Sequence, residues 1–305
     1  EADAEFLLER YEPLHRRQVP TFVRSLGPGP IVKCELEIGS YRLIIRKTGF
    51  HDTIYPFQIN RGEHWDGQKP GESAPKPVQL LPLGTLGADD IYVPDGWCWT
   101  GGDQSALRSL PRRRLWIDGF IVKRFQITNR QFLSFLNHLV SHDQLEAALT
   151  YVPRERTGMA DETGAMVYGQ NPDGSFKLVP DADGDMWHLD WPVILIGWDA
   201  AIAYASWCSS QRSVQWRLPF ELEWEKAARG VDARIYPWGN RYDHSYACNR
   251  SSHQGRMLPG VLDSYPIDES VYGVRGCAGN ISDWTASVWN PNGPKIRNHC
   301  PIHHL

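Results

Sequence analysis

The chain has no Cys-x-x-Cys pair: its six cysteines, Cys34, Cys98, Cys208, Cys248, Cys277 and Cys300, lie far apart in 305 residues. Such spacing argues against a disulfide scaffold or a thiolate metal finger and for isolated reduced thiols in a cytosolic protein. No apolar run approaches the roughly 20 residues of a membrane-spanning helix. The acidic opening EADAEFLLERYEP resembles neither a signal peptide nor a transit peptide, and reads as an internal cut. The expectation is a cytoplasmic chain with no membrane partner. Positive charge is not in excess either, since a net charge of −4 gives no general attraction to nucleic acid. A Gly-rich phosphate loop, a Gly-x-Ser-x-Gly elbow and a His-Glu-x-x-His pair are all missing, which removes three common catalytic readings. There is no internal repeat and no low-complexity tract.

What the chain does have is tryptophan, glycine and proline: 13, 27 and 22 residues respectively. A hydrophobic content of 41% supports a sizeable core. The expected fold is therefore loop-rich, with irregular segments pinned by aromatic side chains that each bury about 150–250 Å². The stretch from Trp216 to Trp284 concentrates this character, and we expect Trp224, Trp238 and Trp284 to be core plugs. Within it, Pro219, the carboxylates Glu221, Glu223 and Glu225, and the pair Arg229 and Gly230 mark one short helix. Glu223 and Arg229 are expected to make internal polar contacts. Almost nothing periodic follows Gly230.

Taken in order, residues 1–26 place Phe6, Leu7, Leu8, Tyr11 and Leu14 at helical spacing and read as a lead-in helix limited by Pro13. Residues 27–82 read as a small β module and a Pro-rich linker. Val32, Cys34, Leu36 and Ile38 alternate with charged residues as in a half-buried strand, and Tyr41 to Arg46 and Thr53 to Ile59 give two more. Gly62 to Pro82 is the linker. Beyond it, strands are expected through Trp97 and around Leu115 to Phe125. Thr128 and Gln131 form a capping box for a helix with a Phe132, Phe135, Leu136, Leu139 stripe. A second helix spans Asp199 to Cys208, whose small residues would allow close approach to the sheet. The run Arg112, Arg113, Arg114 reads as a solvated edge strand. Asp181, Asp183, Gly184 and Asp185 have the look of a calcium loop but lack the spaced Glu of an EF-hand, so a solvated hairpin is expected.

Three strings carry a family resemblance: RLPFELEWEKAARG (217–230), YPWGN (236–240) and GVRGCAGNISDW (273–284). Together they resemble the signature of the formylglycine-generating enzyme, or sulfatase-modifying factor, family. The resemblance covers roughly Ile91 to Trp289, within a domain read as residues 83–290. YVPDGWCWTGGD, LPRRRLWIDGF and DESVYGVRGCAGN are similar to the version found at the C-terminus of bacterial serine/threonine kinases, and GSYRLIIRKTGFHDTIYPFQINRG resembles PEGA modules. The implied fold class is α+β and C-type-lectin-like, preceded by a small all-β module. The family's usual Thr at the helix N-cap is Phe220 here.

The resemblance also implies structural calcium. One site would use Gly279, Ile281 and Asp283, where Gly276 replaces a family carboxamide or carboxylate; the other would use Asn249 and the carbonyl of Arg250. Family oxidases bind copper through a cysteine pair near the C-terminus. This chain lacks that pair, so copper is not expected. Residues 291–305 form an atypical tail in which His299, Cys300, His303 and His304 have zinc-type chemistry but read as a terminal tail. The expectation is a non-catalytic binding, sensing or scaffolding domain with an upstream kinase in the same polypeptide and a protein or small-molecule ligand. Formylglycine oxidation and variable ligand display are the alternatives. If there is a ligand pocket, Trp97, Trp99, Trp238 and Trp289 would line it.

Overall fold

The computed structural model describes residues 3–107, 109–156, 163–212, 214–253, 255 and 257–302. The chain opens with a four-stranded antiparallel sheet of order β2-β1-β3-β4, where β1 is Glu5–Leu14, β2 is Arg17–Pro28, β3 is Gly39–Arg46 and β4 is Thr53–Ile59. The expected strands β3 and β4 are therefore present, but the lead-in helix is not. Leu8 and Tyr11 sit three residues apart because β1 serves two cores: Leu8 packs in the module with Leu43 and Tyr55, and Tyr11 packs with Ile91 and Val271 of the second domain. A strand that passes from one core to another imitates helical periodicity.

The strand expected at Val32 to Ile38 is also absent, and Val32 is 72% exposed. β2 is an edge strand and β3 lies on the far side of β1, so the connection must cross over and cannot pair. Residues 62–82 have no long regular element, as expected of a linker, yet they are firmly held. Trp65 packs on Tyr55 and Phe57, with ring centroids 5.4 and 5.1 Å apart. Lys69 and Lys76 pair with Asp118 and Asp95 of the second domain.

The second domain is α+β. β5 (Asp90–Val93) pairs with β8 (Phe120–Lys123), and β6 (Gly96–Thr100) with β7 (Arg113–Ile117), all antiparallel. Helix α1 (Asn129–Ser141) starts at the Thr128–Gln131 capping box and buries Phe132, Phe135 and Leu136. Helix α2 (Leu145–Tyr151), which sequence periodicity missed, closes over it. A short hairpin of β9 (Tyr168–Gln170) and β10 (Phe176–Leu178) follows. Helix α3 (Trp198–Gln211) packs Ala200, Tyr204 and Trp207 on α1 and α2, so its small residues do not serve a sheet as expected.

Helix α4 (Glu221–Arg229) ends at Gly230 in the left-handed region, φ 70°, as the sequence indicates. After it the chain is irregular to a final hairpin, β11 (Ile296–Arg297) with β12 (Cys300–Pro301). This hairpin corrects the reading of a free tail, because the Trp116 N–H donates to the His299 carbonyl at 2.9 Å. His303 and His304 lie outside the described residues. Arg112 and Arg114 are not a solvated edge: they lie over the Trp99 and Trp97 rings at 4.3 and 5.1 Å.

The aromatic plugs divide. Trp238 is 4% exposed, stacked on Tyr236 at 5.0 Å, and its carbonyl accepts the Gln18 N–H at 2.7 Å. Trp224 is half-buried, and Trp284 is 49% exposed, so the expectation of a plug fails for Trp284. Its indole N–H reaches only the Ile196 carbonyl, 3.0 Å away. We predict that Trp238→Ala loses about 3–5 kcal/mol while Trp284→Ala loses less than about 1.5 kcal/mol, measured as urea midpoints. Phe220 is buried under Arg217, so Phe220→Thr is expected to lower the midpoint despite adding an N-cap oxygen.

Lys226 gives a second prediction. It is 1% exposed, and burial lowers its pKa to about 8. The unfolded lysine titrates near 10.4. Between these values the unfolded chain binds more protons, so stability should rise with pH from about 8 to about 10.4. Denaturation across that window should show the slope in the native chain and not in Lys226→Met.

Candidate functional site

Arg217 and Glu223 fix the entrance to α4. Glu223 sits in the first turn and its carboxylate accepts the Phe220 N–H at 2.8 Å, which satisfies a helix-terminal donor without a capping side chain at Phe220. The same carboxylate takes two Arg217 N–H groups, at 2.8 and 2.7 Å. The expected internal contacts of Glu223 and Arg229 are both present, since Arg229 bonds Glu225 and the Arg234 carbonyl. Glu225 also accepts the Gly101 N–H at 2.8 Å. Fixed in this way, α4 turns Glu223, Trp224 and Ala227 toward a cavity of about 1490 Å³.

The opposite wall is one stripe of α3, comprising Ala201, Tyr204, Ala205 and Cys208 at the helical spacing i, i+3, i+4, i+7. The floor is β8 and its continuation, and segments 193–197, 214–219 and 274–284 complete the rim. Most of the surface is apolar. Trp224 donates its indole N–H to the Asp283 carboxylate at 2.9 Å, and burial raises the Asp283 pKa. Burial also pushes the Cys277 thiol well above its ordinary value and raises Cys208. The thiols in this wall are therefore held protonated, which disfavours their action as nucleophiles or copper ligands.

The four tryptophans named from the sequence lie elsewhere. Trp97 and Trp99 share a face of β6 and donate to the Gln68 carbonyl and the Gln58 side chain. Trp238 is a buried plug and Trp289 is 70% exposed. None of the four lines the cavity; Trp216, Trp224 and Trp284 do. The α3 stripe was the available sequence signal. Its small residues fit close packing as well as a cavity wall, and spacing alone does not choose between them.

The calcium positions do not fit the ion well. The Gly279 carbonyl accepts the Ile281 N–H at 2.9 Å, and Asp283 is occupied by Trp224. Both ends of the Asn249 amide are used within its own loop, by Ser251 N–H and by the Ala247 and His244 carbonyls, and Arg250 makes no side-chain contact among the described residues. Calcium requires about six to eight oxygens. Among the described residues no cluster of three His, Cys, Asp or Glu could hold a metal. The Asp181 loop is likewise closed on itself, its carboxylate accepting the Asp183 and Asp185 N–H groups and the Trp187 indole.

What this region does is clamp two loops. A Cβ at Gly279 would lie 2.1 Å from the Cys248 carbonyl, so only glycine permits the approach. Asn280 then donates its N–H to that carbonyl at 2.7 Å and exchanges two side-chain bonds with Gly260. Asp268, which the sequence reading passed over, supports the turn by accepting the Ala278 N–H. Burial raises its pKa to about 6. The unfolded Asp titrates near 3.9, so the folded chain binds more protons between these values. Stability should therefore fall as pH rises from about 4 to about 6. Asp268→Asn is expected to flatten that fall in denaturation midpoints taken across the window.

Comparison with known proteins places this arrangement. The family model described as the sulfatase-modifying factor enzyme 1-like domain matches residues 82–302. The chain is similar to the formylglycine-generating enzyme of Mus musculus, 24% identical over 256 residues, covering 73% of this chain and 65% of that protein. It is similar to the inactive C-alpha-formylglycine-generating enzyme 2 of the same organism, 28% identical over 230 residues, with 68% and 71% covered. A serine/threonine-protein kinase of Chlamydia trachomatis serovar L2 is 26% identical over 210 residues, taking in 68% of this chain and 28% of the kinase.

Proposed function

Because this chain belongs to the sulfatase-modifying factor enzyme family, yet has a preformed apolar cavity walled by protonated thiols, we propose that it is a ligand-binding domain and not an oxidase. The cavity carries the reading. It has the character of a binding site, with apolar walls and a few convergent polar groups, and the site rather than the fold sets function. The similarity to a protein named as inactive and to a bacterial kinase supports a non-catalytic sensing or scaffolding role in a cytoplasmic, kinase-linked signalling protein. Calcium has no part in this proposal.

Anilinonaphthalene sulfonate, an anionic apolar dye, tests the cavity. It should bind at one site and quench Trp216, Trp224 and Trp284. Ala205→Trp, on the α3 stripe, should fill the space and abolish binding while leaving the thermal midpoint unchanged or higher. Unaltered dye binding in the folded variant would sink the proposal. So would aldehyde formation, above a metal-free blank, on a Cys-x-Pro-x-Arg peptide offered to the copper-treated protein.

A further inference from the structure

Nine consecutive residues, 119–127, line the cavity. A strand seen from one face contributes every second residue, because its side chains alternate. Contribution from every residue means that the cavity runs along the edge of β8. Among the described residues β8 has one hydrogen-bonded strand neighbour, β5, and no strand on its other side.

The register identifies the groups that face the open edge. The Arg124 N–H donates to the Asp89 carbonyl at 2.8 Å. In an antiparallel ladder the bonded pairs then alternate, so Val122 with Ile91 and Phe120 with Val93 are bonded across to β5. Ile121 and Lys123 therefore turn their N–H and C=O groups away from β5 and toward the cavity. Among the described residues neither makes a backbone hydrogen bond on that side. Two donors and two acceptors thus point into a largely apolar space, where unpaired backbone groups are costly.

Charge narrows the choice of occupant. Arg124, Arg154 and Arg156 line the cavity and make no ion pair among the described residues. Arg124 and Arg154 reach only backbone carbonyls, those of Gly273, Gly164 and Leu149. The carboxylates in the wall are already engaged, Glu223 by Arg217 and Asp283 by the Trp224 indole. Among the described residues the cavity has cations to spare.

Its size points the same way. About 1490 Å³ exceeds the roughly 300–1,000 Å³ typical of small-molecule sites. The four residues of β8 span about 13 Å, and the lining continues through the bend to residue 127. An acyl chain with an acidic head would suit the walls and the cations, but would leave all four backbone groups of Ile121 and Lys123 unpaired.

We propose that the cavity receives an extended peptide segment of a partner protein, which adds as a strand to the β8 edge at Ile121 and Lys123, with alternate apolar side chains and a carboxylate directed to Arg124, Arg154 and Arg156. This is β-strand addition, in which main-chain bonds give affinity and side-chain pockets give selectivity. It rests on the cavity being a binding site, as proposed above, and supplies the ligand class.

The probe is a capped, fluorescein-labelled heptapeptide, Val-Thr-Val-Glu-Val-Thr-Val, with two controls: Lys in place of the central Glu, and N-methylation of alternate amides. The native chain should bind the first peptide and bind each control at least about tenfold more weakly. Hydrogen exchange at the Ile121 and Lys123 amides should slow on binding. Ile121→Pro removes only the outward N–H, a substitution that edge strands accept. It should lose peptide binding, and its thermal midpoint shows whether the variant is folded. If it fails to fold, the N-methylated peptide on the native chain removes the same class of bond from the other side.

Dye binding without peptide binding overturns this proposal and leaves the cavity reading standing; failure of both removes both. Equal binding of the Glu and Lys peptides, a fatty acid that displaces the peptide and binds Ile121→Pro unchanged, or self-association through this edge in sedimentation would each overturn it as well.

Discussion

The second domain depends on one buried cation. Lys226 points from the middle of α4 into the end of the β6–β7 pair and donates to the carbonyls of Pro94, Ile117 and Gly96 at 2.7, 3.0 and 3.4 Å. These carbonyls belong to the break between β5 and β6, to the start of β6 and to the end of β7. An ammonium group out of water is costly unless its hydrogens are satisfied, and a carbonyl without a donor is costly in turn. Each group supplies what the other lacks. The arrangement fixes the rotation of α4 about its axis, and with it the direction of every other side chain on the helix.

From that rotation the rest follows. Leu222 and Lys226 face the strands, Glu225 and Arg229 hold the Gly101 turn from both sides, and Glu223 with Trp224 turn outward to the cavity. Trp224 carries the order one step further by holding Asp283 and hence the loop that ends at Trp284. The irregular chain after Gly230 is kept in place by side chains and local clamps. Arg234 lies over the Tyr11 ring at 4.6 Å and pairs with Asp232, which also accepts the Ser40 hydroxyl at 2.6 Å. The first sheet is thus fastened to the second domain by buried polar contacts, and its Tyr11 belongs to the second domain's core.

How much of this was legible in the sequence depended on how local the cause was. The α1 capping box, the limits of α4 and the strands at Tyr41 and Thr53 are set by neighbours in the chain, and they stand as read. β1 and the Val32 segment were misread because their patterns reflect which core each residue meets, and that is decided by strand order. The tryptophans show the same division. Trp238 is plugged by its near neighbours Tyr236 and Tyr246, whereas Trp284 sits at a rim formed by residues nearly ninety positions earlier in the chain. Trp97 and Trp99 are covered by the basic run read as solvated. The family strings identified the domain, but the cavity was beyond reach, because sequence patterns register what packs together and not the space left between.

That space is kept open by the way its walls are anchored. α3 is held by Tyr204 and Trp207 on α1, α4 by Lys226 on the strands, and the 273–284 segment by Asn280 on the Cys248 loop. Each wall is thus anchored to its own neighbours and not to the wall opposite. Collapse into the void would therefore break contacts already made, and packed cores resist such rearrangement. Filling the cavity requires no anchor to be released. An occupant would meet a surface already organised for it, which lowers the ordering cost of binding.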